Sequence, residues 1–161
     1  MMVRIKNKRE LPHSDISENI IGCCFEVIKD LGSGFLENVY KNALFIAMKQ
    51  KGLNVLAKQA FEVVFREHKI GKYIADLIVE NLIVVELKCC KVLLPEHQAQ
   101  LINYLKASER PVGLLVNFGN QRLEYKRLHH PDKFIELEEF EEDPLPFLLP
   151  QSENKTLNSS S

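Results

Sequence analysis

The chain reads as one α/β domain, a central mixed β-sheet flanked by helices. Three observations predict this. Two amphipathic helical segments come first, and the hydrophobic period then shifts to that of strands. The two middle strands are almost continuously apolar, which requires helical cover on both faces of the sheet. With 161 residues, 45% of them hydrophobic and 27% charged, the chain has the length of a single domain and enough apolar mass for one core.

Residues 1–13 form a basic arm ending near Pro12. A helix is predicted from Ser14 or Asp15, with Asp15 and Glu18 spaced as a capping box. Ile16, Ile20, Ile21, Cys24, Val27, Ile28 and Leu31 recur at helical spacing, and Gly32-Ser33-Gly34 stops the run. The second helix spans about Leu36 to Lys51, with Leu36, Tyr40, Ala43, Leu44, Ala47 and Met48 as its inner stripe. Residues 54–65 are β-branched and aromatic and give one or two strands. Residues 66–73 are polar around Gly71 and read as a turn. Ile74–Val79 and Leu82–Leu87 follow as short apolar strands. A helix from Pro95 to about Ala107 uses proline in its first turn. Val112–Phe118 and Arg122–Leu128 are the closing strands, separated by Gly119-Asn120-Gln121. The order is two helices, four strands, a helix and two strands.

Charge is unevenly distributed. The net charge of −1 hides seven acids and one base in residues 136–161, so the remaining 20 bases and 15 acids leave the body near +5. A polyanionic partner is compatible with that body. The acidic, proline- and serine-rich end has too little apolar surface to order itself and reads as a disordered tail. No apolar run approaches the ~20 residues of a membrane span, and the basic N-terminus lacks the apolar segment of a secretory signal. The cytoplasm is the default location. Cys23-Cys24 and Cys89-Cys90 are adjacent pairs without zinc or redox spacing, and read as small buried hydrophobes.

Chemistry is carried where charges interrupt the apolar strands. Asp76 lies within Ile74–Val79, and Glu86 and Lys88 lie in or just after Leu82–Leu87. Buried carboxylates are costly unless paired or bound to metal. Glu86 and Lys88 project from one strand face. A two-residue turn at Glu80-Asn81 puts Asp76 opposite Val85. A three-residue loop, Glu80 to Leu82, pairs Val79 with Ile83 and sets Asp76 across from Glu86. Two carboxylates so opposed repel unless a cation lies between them, so the three-residue loop and a bridging divalent ion are expected. Oxygen ligands favour Mg²⁺ or Mn²⁺. Such an ion polarises a phosphate and acidifies water, while Lys88 orients the nucleophile or stabilises charge developing on phosphorus.

Asp76 followed by Glu86-Leu87-Lys88 resembles the D…ExK signature of the PD-(D/E)XK nuclease superfamily. Gly34-Phe35-Leu36-Glu37-Asn38-Val39-Tyr40 resembles the motif of the GxxExxY family within it, and Gln100 with Tyr104 resembles the QxxxY motif of RecB-like nucleases. The resemblance spans about Ile16 to Leu128. It implies a restriction-endonuclease-like core over residues 14–135. It also implies a catalytic set of Glu37, Asp76, Glu86, Lys88, Gln100 and Tyr104, with metal held by Asp76, Glu86, the Leu87 carbonyl and Glu37. Tyr40 shares a helical face with Glu37 and either supports it or simply packs in the core. His97 reads as a surface or satisfied histidine.

The implied function is a Mg²⁺- or Mn²⁺-dependent nuclease of DNA, in repair or defence, with RNA as the other polymer class. Many such enzymes cut as dimers, so a homodimer fits, and no membrane partner is expected. The alternative is a nucleic-acid- or partner-binding module that keeps the fold without turnover.

Overall fold

A computed structural model of the protein describes residues 13–133. The acidic segment 136–161 and, apart from His13, the basic arm lie outside the described residues. Helix α1 (Ser14–Leu31) and helix α2 (Glu37–Gln50) lead into β1 (Val55–Phe65), β2 (His68–Val79) and β3 (Ile83–Lys88). Helix α3 (Pro95–Ser108) then precedes β4 (Val112–Asn117) and β5 (Glu124–His129), and a 3₁₀ turn follows at Pro131–Lys133.

The five strands lie in the spatial order β1-β2-β3-β4-β5. β3 and β4 are parallel, with α3 as their crossover, and the other three pairs are antiparallel. The sheet is therefore mixed and covered on both sides, as its apolar strands require. On one face Ile20, Cys24, Leu44 and Met48 of α1 and α2 pack on Leu77, Val79, Ile83, Val85, Leu87, Leu114 and Val116. On the other, Leu101 and Leu105 of α3 pack on Tyr73, Ala75, Ile78, Val84 and Leu115. Among the described residues no helix is long and apolar enough to cross a membrane.

Several expectations are corrected. Three strands, not four, precede α3, because residues 66–73 are not a broad turn. The reversal is confined to Arg66-Glu67, both at positive φ (47° and 68°), as a tight hairpin turn demands. Gly71 sits inside β2, paired with Val63. The misreading has a physical cause: this end of the β1–β2 ribbon is exposed, so its strands tolerate the polar residues that signal a turn.

The Asp15–Glu18 capping box does not form. His13, at φ 60°, precedes the helix without a side-chain cap, and the Ser17 hydroxyl donates to the His13 carbonyl at 3.1 Å. With the start set this early, Asp15 falls in the first turn, where its charge complements the helix dipole. Leu36, expected on the inner stripe of α2, is 81% exposed just ahead of that helix. Cys23 and Cys24 are buried as expected, whereas Cys89 is exposed because it lies beyond the end of β3.

Candidate active site

The β2–β3 hairpin sets the geometry. Glu80 and Asn81 take positive φ (52° and 55°), and the Leu82 amide donates to the Val79 carbonyl at 3.0 Å. The loop is thus three residues long, and the register is Val79↔Ile83, Ile78↔Val84, Leu77↔Val85. Continued by one step, this register sets Asp76 against Glu86. The main-chain ladder stops short of that step, and the strands fork.

β2 also changes face at this point. Tyr73 and Ala75 belong to the layer under α3, while Leu77 and Val79 belong to the layer under α1 and α2. β1 pairs Ala57 with Leu77 and Gln59 with Ala75 but skips the pair between, and the skipped residue, Lys58, has φ 57°. A non-glycine residue in that region is uncommon and strained. Asp76 thus occupies the slip in β2, opposite the kink in β1.

Side chains replace the missing ladder bonds. Asp76 Oδ2 accepts the Leu87 amide at 3.0 Å, and the Asp76 amide donates to Glu86 Oε1 at 3.3 Å. The Tyr73 hydroxyl donates to the same Glu86 oxygen. Glu86 is only 7% exposed. Burial, then the neighbouring Asp76 charge, push its carboxyl up to about 8, partly opposed by the bond from Tyr73. Two acids thus share one largely buried spot, where a cation would offset their mutual repulsion. The donors gathered here are all hard oxygens, so the pair suits a divalent ion of the magnesium class. Among the described residues, no group of three or more His, Cys, Asp or Glu side chains closes up around one point.

Glu37 is the first residue of α2 and is exposed. Its carboxyl is raised by partial burial and by Asp76, and lowered by Lys88 and Lys41, so it lies within electrostatic reach of the fork. The hydroxyl of Tyr40 is engaged elsewhere. The Tyr40 hydroxyl donates to the Gly32 carbonyl at 2.6 Å and accepts the Phe35 amide at 3.2 Å, while its ring stacks on Phe118 at 5.0 Å. Gly34 has φ 109°, open to glycine and strained for other residues. The Gly34–Tyr40 motif is therefore mechanical: glycine makes the turn, tyrosine straps the loop, and Glu37 is delivered at the helix start.

On the α3 side, Lys88 Nζ donates to Gln100 Oε1 at 3.5 Å. Tyr104 stacks on Tyr73 with ring centroids 3.5 Å apart, one turn after Gln100 on the same helix. Burial, then the nearby Glu86 and Asp76 charges, keep the Tyr104 phenol protonated. His97 accepts the Leu94 amide through Nδ1 at 3.0 Å and serves the start of α3. Of the six expected site residues, Asp76 and Glu86 are in direct contact, Lys88 bonds Gln100, Tyr104 stacks on the tyrosine that bonds Glu86, and Glu37 stands within electrostatic reach of Asp76.

Three participants were not read from the sequence. Tyr73 was hidden in the supposed turn. Lys41 pairs with Asp76 Oδ1 at 3.4 Å; its position one turn after Glu37 was an available signal. Asn117, fully buried at the end of β4, accepts the Cys90 and Gly119 amides (3.0 and 2.9 Å) and donates to the Cys90 carbonyl at 2.9 Å. It straps down the chain leaving Lys88. Gly119 is required there, since a Cβ would lie 2.2 Å from the Cys90 carbonyl oxygen.

The chain is similar to known proteins in the same terms. Among solved structures, that of SSO0001 is 22% identical and superposes with a TM-score of 0.49, covering 80% of this chain and 66% of that one, just under two thirds of its length. An alkaline exonuclease, LHK-Exo from Laribacter hongkongensis, is 12% identical with a TM-score of 0.46, covering 80% and 76% of the two chains. The same exonuclease in complex with dAMP is 12% identical with a TM-score of 0.43, covering 78% and 88%. No curated protein sequence matches. A family model described as the PD-(D/E)XK nuclease superfamily matches residues 14–128, the stretch from α1 to β5 that builds the fork, and the chain belongs to that superfamily.

Proposed function

We propose that the chain is a metal-dependent nuclease that hydrolyses phosphodiester bonds of DNA. The observation that carries this reading is the contact of two strand-borne acids at the fork, one buried and strongly proton-retaining, with Lys88 on the same strand face as Glu86. Superfamily membership supports it. So does a chain body near +5 outside the acidic end.

Asp76, Glu86 and the Leu87 carbonyl, with Glu37 from α2, would hold Mg²⁺ or Mn²⁺. Bound there, the ion supplies Lewis acidity toward phosphate and water. To hold the ion Glu86 would have to be ionised, and the Tyr73 hydroxyl, bonded to Oε1, would fix the carboxylate's orientation. Lys88 is steered by Gln100 and presents its ammonium to the attacking oxygen or to the phosphoryl oxygens that gain charge. Tyr104 holds Tyr73 in place.

Cleavage of single- and double-stranded DNA in Mg²⁺ or Mn²⁺, with RNA as a parallel substrate, tests the proposal. Lys88→Ala is expected to lower the rate about 10²–10³-fold, and Asp76→Asn to abolish Mn²⁺ binding. Wild-type protein no more active than Lys88→Ala on every substrate sinks it. One observation favours the second reading, a nucleic-acid-binding module without turnover: Lys41 already neutralises Asp76. A chain that binds DNA tightly but takes up no Mn²⁺ establishes that module instead.

A further inference from the structure

We propose that Lys41 is the resident counter-cation of Asp76, displaced when a divalent ion binds, and that it thereby sets the affinity of the site for metal. This rests on the nuclease reading above.

The placement of Lys41 carries the proposal. Asp76 Oδ2 is committed to the Leu87 amide, so Oδ1 is the oxygen left for an incoming ion. Lys41 Nζ stands 3.4 Å from Oδ1, with the two side chains only 13% and 16% exposed. The pairs Lys51–Glu26 and Lys69–Glu62 differ in kind: their side chains are 45–70% exposed, and such pairs contribute little. Lys88, the lysine of the strand signature, bonds Gln100 rather than either acid. The ammonium lodged among the acids therefore comes from α2, one turn after Glu37, on the helix face that carries that acid.

Two cations repel strongly when they share one oxygen in a partly buried site. Metal entry therefore requires the Lys41 side chain to swing aside, which its flexible four-carbon stem permits. The cost of opening the pair appears as weaker apparent metal affinity. In return, Asp76 is compensated while the site holds no metal.

The test is Mn²⁺ titration of the full chain without DNA, by calorimetry or electron paramagnetic resonance, on wild type, Lys41→Gln and Lys41→Arg. Lys41→Gln is expected to bind Mn²⁺ about tenfold more tightly, which is the gain for some 1.4 kcal/mol of relieved repulsion. Lys41→Arg, which keeps the charge, should stay near wild type. In chelator, Lys41→Gln should also melt below wild type. A second measurement needs no variant: the side-chain ¹⁵N resonance of Lys41 in wild type should shift in step with Mg²⁺ saturation. Wild-type binding of Mn²⁺ with no tightening in Lys41→Gln, or a Lys41 resonance indifferent to bound Mg²⁺, overturns the role of Lys41 and leaves the metal site standing. Failure of both wild type and Lys41→Gln to bind Mn²⁺ overturns the metal site and this proposal together.

Discussion

The two ends of the β2–β3 hairpin are both largely sequestered and chemically opposite. At the closed end, Leu77, Ile78 and Val79 pair with Val85, Val84 and Ile83, and none of the six is more than 1% exposed. At the fork, a step further on, Asp76 and Glu86 face each other with Tyr73 and Lys88 close by. Burial alone does not account for the contrast, since Glu86 is 7% exposed and the Asp76 side chain 16%. Main-chain pairing does. At the closed end the backbone groups satisfy one another, so the side chains are free to be apolar. At the fork the ladder has ended, and the carboxylates take the amides of Asp76 and Leu87. Buried polar groups must be paired, so the fork needs acceptors there, and acids meet that need while remaining available to a cation. One break in the sheet thus explains both why charge is tolerated here and why it is concentrated.

This contrast is broken first at the rim of the fork. If the open end depends on side-chain bonds to backbone, deleting a residue that makes several of them should cost more than an average core truncation of the same size. Asn117→Ala removes three hydrogen bonds from the Cys90–Gly119 strap. A loss of about 2–4 kcal/mol is expected in urea unfolding, because buried partners are left unsatisfied. A loss under about 0.5 kcal/mol means that the strap is held by the ladder after all.

A smaller effect separates the ends by pH. The Glu86 carboxyl titrates near 8 in the fold, against an ordinary value of 4.5. The folded chain therefore binds this proton more tightly than the unfolded chain does. The resulting stabilisation is complete below about pH 4.5 and is lost as pH rises toward 8. In chelator, melts should fall through that window by about 1–3 kcal/mol. Glu37 is raised too and acts in the same direction. Glu86→Gln should flatten most of the slope, and saturating Mn²⁺ should do so in wild type. A slope unchanged in Glu86→Gln places the proton elsewhere.

How much of this was legible follows the same division. Where backbone pairs with backbone, local pattern suffices. The apolar runs gave β3 and β4 to within a residue, and electrostatic reasoning over Asp76 and Glu86 selected the three-residue loop that the register shows. Gly34 to Tyr40 marked the delivery of Glu37, but not that Tyr40 works by strapping Gly32 and Phe35. Where side chains bond across long separations, pattern names at most a candidate and never its partner. Asn117 reaches Cys90 across 27 positions, and Lys41 reaches Asp76 across 35. Tyr73 was missed for a different reason. Its neighbours Gly71 and Lys72 are polar because the ribbon there faces water, and that exposure imitates a turn.

Tyr73 also offers the finest probe of the fork. Its hydroxyl donates to Glu86, while its ring stacks on Tyr104 and on Phe61. Tyr73→Phe keeps the stack and removes the bond, so packing is held nearly constant. That bond favours the ionised carboxyl and holds Glu86 lower than burial and Asp76 alone would set it. Without it, Glu86 should keep its proton to higher pH, and the downward slope of metal-free stability should extend beyond 8. The loss should be about 0.5–1.5 kcal/mol at pH 9. At pH 6 it should be smaller, since a hydrogen bond to a neutral acid is weaker than one to a carboxylate. Mn²⁺ affinity at neutral pH should weaken by a few-fold, since the ion must then displace a more firmly held proton. Equal losses at pH 6 and pH 9, with Mn²⁺ affinity unchanged, would show that Tyr73 belongs to the packed layer beneath α3 and not to the acids at the fork.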